Sequence, residues 1–169
     1  MSGDAIDRLV ARVAAALTAR DARLATAESC TGGLVAAACT SLAGSSAWFE
    51  RGVVSYSNAA KSELLDVAPA LIARHGAVSA EVACAMAAGL LGRAPAGFAV
   101  AVTGIAGPDG GTALKPLGTV WIATAARGAG AEATLLNASG DRAAVRERSV
   151  ARALELVLAR IEATPAAPR

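Results

Sequence analysis

The sequence predicts a three-layer α/β/α domain, a mixed sheet flanked by helices, and three observations predict it. Helical and extended patterns interleave along the whole chain, which is the signature of helices packed on a sheet. The strand candidates are short runs, and the uncharged, β-branched run 98–103 is too short for a buried helix. At 169 residues a single domain already buries about 70% of its unfolded surface, so the core needs no covalent or metal staple. One domain is expected over residues 1–163, without internal repeat or linker, and residues 164–169, with two prolines, are expected to fray.

The elements follow in order. Ile6, Leu9, Val10, Val13 and Leu17 fall at helical spacing behind Asp4, an N-cap residue type, and predict an amphipathic helix over residues 4–20. Residues 23–27 read as a short strand, and residues 31–41 as a helix opened by Gly32 and Gly33. Val53, Val54 and Tyr56 predict a strand over 52–57, and Asn58 is placed to cap a helix reaching Asp66. Pro69 opens a short helix that Gly76 stops at His75, and Ser79 starts another that ends near Gly92. Residues 98–103 predict a buried strand. The following segment to 118 holds Gly104, Gly107, Gly110, Gly111 and Gly118 with Pro108 and Pro116, a loop whose backbone can approach a ligand closely. Strands over 120–125 and 132–137 and a helix over 141–162 complete the chain.

Composition narrows the chemistry. Of 169 residues 46 are alanine and five are aromatic, so much of the apolar content is small side chains. An alanine-rich surface of low charge would suit packing of a homodimer or higher assembly. The sixteen cationic residues comprise fourteen Arg and only Lys61 and Lys115, and His75 is the only histidine. Metal sites needing two histidines are excluded, and neither a metal nor a cofactor is expected. A histidine-based hydrolase triad would have to use His75, which is more simply read as a cation suited to a helix C-terminus. The net charge of +2 leaves no footprint for nucleic acid. Cys30, Cys39 and Cys84 lack CxxC spacing and follow no signal sequence, so free thiols in a cytoplasmic protein are expected. The uncharged stretch 29–49 is interrupted by Thr, Gly and Ser and reads as a buried loop and helix, not a membrane span.

Three loops beyond strand ends carry the reactive residue types, where ligands of such folds bind. In Glu28-Ser29-Cys30-Thr31-Gly32-Gly33 a hydroxyl and a thiol stand beside a helix N-terminus whose free amides could hold an oxyanion or phosphate. Ser29 is the candidate nucleophile. Cys30 is the alternative, and a capping role for Ser29 or Thr31 stays open. A serine nucleophile needs a base, and with histidine nearly absent Lys61 can lose a proton where arginine cannot. An exposed Lys61 without such a role is the other reading. Tyr56 could relay a proton only with its hydroxyl in reach of both Ser29 and Lys61, and otherwise packs on its strand. Thr103 and the glycines after it could wrap amides round an anion or form a plain turn; they match neither a Walker loop nor GxGxxG. Lys115 could reach a phosphate or face water. Arg142, beside Asp141 at a helix start, could take a phosphate in its guanidinium fork.

Together, and in this order, the runs Ala27-Glu28-Ser29-Cys30-Thr31-Gly32-Gly33, Gly52-Val53-Val54-Ser55-Tyr56-Ser57-Asn58 with Lys61, Gly76-Ala77-Val78-Ser79, Val102-Thr103-Gly104-Ile105-Ala106-Gly107-Pro108 and Gly140-Asp141-Arg142 resemble the CinA C-terminal domain, the nicotinamide-nucleotide amidohydrolase family. The resemblance covers about residues 5–162, and the chain would be the form without the family's additional N-terminal domain. It implies hydrolysis of the carboxamide of nicotinamide mononucleotide to nicotinic acid mononucleotide and ammonia. It also implies Ser29 as nucleophile, Lys61 as base and Tyr56 near them. Cys30, Thr31, Gly32, Gly33, Thr103, Gly104 and Gly107 would shape the substrate site, with Arg142 on the phosphate. A nucleotide-binding module without catalysis and a Cys30 thiol hydrolase are the alternatives.

Overall fold

The computed structural model describes residues 3–165. Its helices are α1 (Gly3–Thr18), α2 (Leu34–Ser41), α3 (Asn58–Leu65), α4 (Pro69–His75), α5 (Ala80–Arg93) and α6 (Arg142–Ala163). Its strands are β1 (Leu24–Glu28), β2 (Phe49–Val54), β3 (Phe98–Gly104), β4 (Thr119–Ala126) and β5 (Gly130–Asn137). The sheet order is β2-β1-β3-β4-β5. β1 runs parallel to both β2 and β3, and β3-β4-β5 continue antiparallel. The mixed sheet and its two helical layers are those the sequence predicts.

β1, β3, β4 and β5 alternate between two cores. Leu24, Phe98, Val100, Val102, Val120 and Ile122 face α1, α2 and α6. On the other face stand Ala25, Ala27, Ala99, Ala101, Ala123 and Ala125, packed by α5 through Val82, Ala83, Met86 and Leu90. A sheet face whose centre is alanine contributes little burial per residue, but it lets the helix approach closely and keep dense packing. α5 also carries Gly89 where it crosses the end of α3, and a Cβ there would lie 1.7 Å from the Leu65 carbonyl oxygen. Alanine-rich composition, read from sequence as a surface for assembly, therefore has a large share inside this second core.

Several boundaries move, each for a local reason. Asp4 lies inside the first turn of α1 instead of capping it. β2 begins three residues before its predicted start, because an edge strand tolerates charged residues, here Glu50 paired with Arg23 and Arg51. It stops at Val54, since Ser55 already donates its amide to the Glu28 carbonyl and Ser57, not Asn58, caps α3 by accepting from the Ala60 amide. Asp141 caps α6 by accepting from the Ala144 amide. A 3-10 turn, Ser45–Ala47, precedes β2, and Trp48 beside it is 3% exposed. No helix among the described residues is long and apolar enough to cross a membrane. In the predicted frayed tail Thr164 is tied down, its carbonyl accepting from Arg20 at 2.7 Å; residues 166–169 lie outside the described residues.

This topology places the site. Because β1, β2 and β3 are mutually parallel, the segments after Glu28, Val54 and Gly104 all emerge at one edge of the sheet. The chain leaves β1 toward β2 on one side and returns to β3 on the other, so a crevice opens beyond the end of β1.

Candidate active site

A cavity of about 290 Å³ occupies that crevice, lined by Ser29, Cys30, Tyr56, Lys61, Thr103 and Arg142 among others. A wider apolar groove between α3 and α4 has no nucleophile hydrogen-bonded to a base. At the floor of the crevice Lys61 Nζ lies 3.1 Å from Ser29 Oγ, 2.9 Å from the Ser55 carbonyl oxygen and 3.3 Å from that of Tyr56. Lys61 is 1% exposed and Ser29 8%, so the exposed lysine allowed by the sequence is not what the fold makes. Three acceptors stand round Nζ: an ammonium donates to all three, and in the neutral amine two N–H groups donate to the carbonyls while the lone pair can accept the Ser29 hydroxyl proton. Burial away from water holds the Lys61 pKa below the ordinary lysine value, with the nearby Cys30 opposing it.

Glu28 is the residue that sequence reasoning missed. Its buried carboxylate accepts from the amides of Gly33 (3.0 Å), Val35 (3.0 Å) and Ala36 (2.8 Å) and from the Thr26 hydroxyl. α2 therefore starts at Leu34, not Thr31, and neither Ser29 nor Thr31 caps it. Gly32 and Gly33 have φ of +61° and +97°, the left-handed turns needed to bring these amides back over Glu28. The helix N-terminus expected to receive an oxyanion is thus already occupied by a carboxylate of the chain. Gly32 and Leu34 donate to the carbonyls of Ser29 and Thr31, whereas the amides of Cys30 and Thr31 donate to no other described residue. An acid on the core-facing side of a strand, just before a Gly-Gly pair and a helix, was the available signal.

The other expected residues are only partly brought together. Tyr56 is 61% exposed, and its hydroxyl accepts from Arg142 at 3.2 Å. It makes no hydrogen bond to Ser29 or Lys61, so the condition for a relay is not met; the contribution of Tyr56 to the floor is its backbone carbonyl. Arg142 also donates to the Gly107 carbonyl at 2.7 Å, joining the glycine segment to the mouth. Thr103 donates to the Ala77 carbonyl at 2.9 Å. Gly104 and Gly107 line the cavity, while Gly32 and Gly33 act beside it through the turn. Thr31 is fully buried, and its carbonyl accepts from Arg146 at 2.9 Å. Lys115 is partly buried and does not line the cavity; its Nζ ends on backbone carbonyls. His75 is not in the cavity, and its Nδ1 lies 3.2 Å from Glu81 Oε1.

Cys30 is 5% exposed, and burial pushes its thiol pKa up to about 11 despite the cations Lys61, Arg142 and Arg146 nearby. A thiol so rarely ionised near neutrality is a poor nucleophile. Cys30→Ser is therefore expected to keep activity within about threefold, and an alkylating agent at neutral pH to inactivate slowly. Rapid stoichiometric loss of activity on alkylating Cys30 would show the thiol to be the nucleophile.

A serine–lysine pair at the switch point of a three-layer α/β domain defines the class to which this fold and site belong. The sequence profile of the CinA C-terminal domain matches residues 6–161, and the chain belongs to that family. It is 52% identical over 156 residues to the nicotinamide-nucleotide amidohydrolase PncC of Escherichia coli K12, covering 92% of this chain and 94% of that one. A CinA-like protein of Mycobacterium marinum is 54% identical over 92% of this chain, which spans only 35% of that longer protein. Among solved structures, the competence/damage inducible protein CihA of Agrobacterium tumefaciens superposes with a TM-score of 0.89 at 45% identity, covering 92% and 94% of the two chains.

Proposed function

We propose that this chain is a nicotinamide-nucleotide amidohydrolase, converting nicotinamide mononucleotide and water to nicotinic acid mononucleotide and ammonia by acyl transfer through Ser29 and Lys61. The carrying observation is a buried lysine whose Nζ stands 3.1 Å from a serine hydroxyl in a polar cavity. The 52% identity to a protein bearing that activity in its name supports the choice of substrate.

Neutral Lys61 accepts the Ser29 proton as Oγ attacks the carboxamide carbon. The Ser55 and Tyr56 carbonyls hold the resulting ammonium in place. Negative charge develops on the former carbonyl oxygen, and the amide of Cys30, the cavity-lining residue directly after the nucleophile, is its donor. A donor of this kind contributes ~3 kcal/mol in comparable sites. Lys61 then returns the proton to the leaving nitrogen, the C–N bond breaks and ammonia departs. Water, deprotonated by the same amine, cleaves the acyl-Ser29 ester and restores both groups. These steps use Ser29, Lys61, a backbone amide and water alone. At the mouth, the exposed guanidinium of Arg142 engages two partners and has N–H groups left for the substrate phosphate. That remote contact orients the amide. The same reading places the enzyme in the cytoplasm, in keeping with three free thiols, as a homodimer or higher assembly.

Purified protein incubated with nicotinamide mononucleotide and a chelator is expected to release one ammonia per nicotinic acid mononucleotide formed. Saturable binding without ammonia would replace this reading by that of a nucleotide-binding module.

A further inference from the structure

We infer that Lys115 is a positioning residue that latches the 105–118 loop to the opposite wall of the substrate cavity, and so sets substrate affinity; the kinetic part of this inference rests on the proposed function. The chain has only two lysines, and both end on pairs of backbone carbonyls. Lys115 Nζ donates to His75 O at 2.9 Å and to Val78 O at 2.7 Å. Between them, Gly76 O accepts from Ser79 Oγ and Ala77 O from Thr103 Oγ1, each at 2.9 Å. All four successive carbonyls of residues 75–78 thus accept from side chains, two of them from one ammonium on another segment.

The segments so joined are the two walls of the cavity. Ala77 and Val78 line one side, and Ile105, Ala106, Gly107 and Asp109 line the other. The loop is closed at its base by Ile105 and Gly118, and Arg142 holds it at Gly107. Its outer half, residues 108–114, is exposed. A tight turn, with the Lys115 amide donating to Thr112 Oγ1 and the Thr112 amide to Lys115 O, aims Lys115 back inward. Gly76 completes the seat, since a Cβ there would lie 3.2 Å from Nζ at a φ of +78°. A compact ammonium fits where a planar guanidinium does not.

Kinetics of ammonia release and amide hydrogen exchange, measured on Lys115→Met and Lys115→Arg, test this. Both variants are expected to raise KM for nicotinamide mononucleotide about tenfold with kcat within about twofold. Exchange should accelerate about tenfold or more in residues 76–79 and 105–118, and not in β1 or β3. Wild-type KM in Lys115→Met overturns the inference. So does wild-type KM in Lys115→Arg, which would mean that charge alone attracts the phosphate, and so does a defect confined to kcat. Exchange accelerated throughout the sheet, or a variant that does not fold, would assign Lys115 to general stability and also overturns it. If the wild type releases no ammonia, the proposed function fails, while the two-segment exchange pattern still decides the latch.

Discussion

Ser29→Ala and Lys61→Met are each expected to lower kcat for ammonia release by at least about 10³-fold, and the double variant to be little worse than either alone. Groups that act as one unit fail as one unit. Lys61→Arg keeps a cationic side chain but removes the base, since a guanidinium does not give up its proton, and it is expected to be as inactive as Lys61→Met. Retention of more than a tenth of wild-type activity in any of the three would remove the pair from the mechanism. The pH profile carries the same information. Burial holds the Lys61 pKa down, so kcat/KM should rise with pH to a plateau reached below the ordinary lysine range. Folding stability has the same sign. Between the lowered folded value and the ordinary unfolded one, the unfolded chain binds a proton that the folded chain does not, and stability contributed by this group rises with pH. Below the folded value the full cost of a buried cation is present.

Glu28→Ala is expected to be the most damaging single change to the scaffold near the site. It leaves the amides of Gly33, Val35 and Ala36 without their acceptor. At ~1–3 kcal/mol for each buried unsatisfied donor, less what water recovers, the loss is about 4 kcal/mol. In a domain of this size that corresponds to a fall in Tm of roughly 10 °C. Glu28→Gln should cost less, because one oxygen, Oε2, serves both Gly33 and Val35 and a Gln carbonyl can keep them. The Gln amide nitrogen would then face the Ala36 N–H, so some loss remains. Thermal unfolding of the two variants checks the order, and a Glu28→Ala protein as stable as wild type would refute the capping role. Because the same turn carries Ser29, both variants should also lower kcat.

The fold was legible to the extent that it rests on local periodicity. The α1 and α6 stripes, the uncharged β3 run and the caps Ser79 and Asp141 announce themselves over short windows. β2 was misplaced because an edge strand needs no hydrophobic alternation, so Phe49, Glu50 and Arg51 gave no strand pattern. Tyr56 lies between Ser29 and Lys61 along the chain, but only the direction of its side chain shows that the hydroxyl turns to Arg142.

The candidate pair of Ser29 and Lys61 shows the same division. Scarcity of histidine among the cationic residues, and a lysine just past a strand end, are facts of the chain alone; they make Lys61 a candidate base beside the plain reading of an exposed helix lysine, and the family resemblance favours the first. Whether Lys61 can serve as a base depends on desolvation, and that is a tertiary quantity. The parallel run of β1 and β2 brings Lys61 Nζ within 3.1 Å of Ser29 Oγ, and the folded chain leaves Lys61 only 1% exposed.

By itself, then, the sequence determined the layered α/β class, the order of its elements, the candidate nucleophile and a candidate base, because these follow from residue type and short-range spacing. Tertiary structure decided that Glu28 occupies the helix terminus reserved in expectation for substrate, that Lys115 ties two loops together, and that many alanines line an inner sheet face. Each depends on which distant groups meet in space, where hydrogen-bond satisfaction and close packing choose among partners that spacing along the chain leaves equivalent.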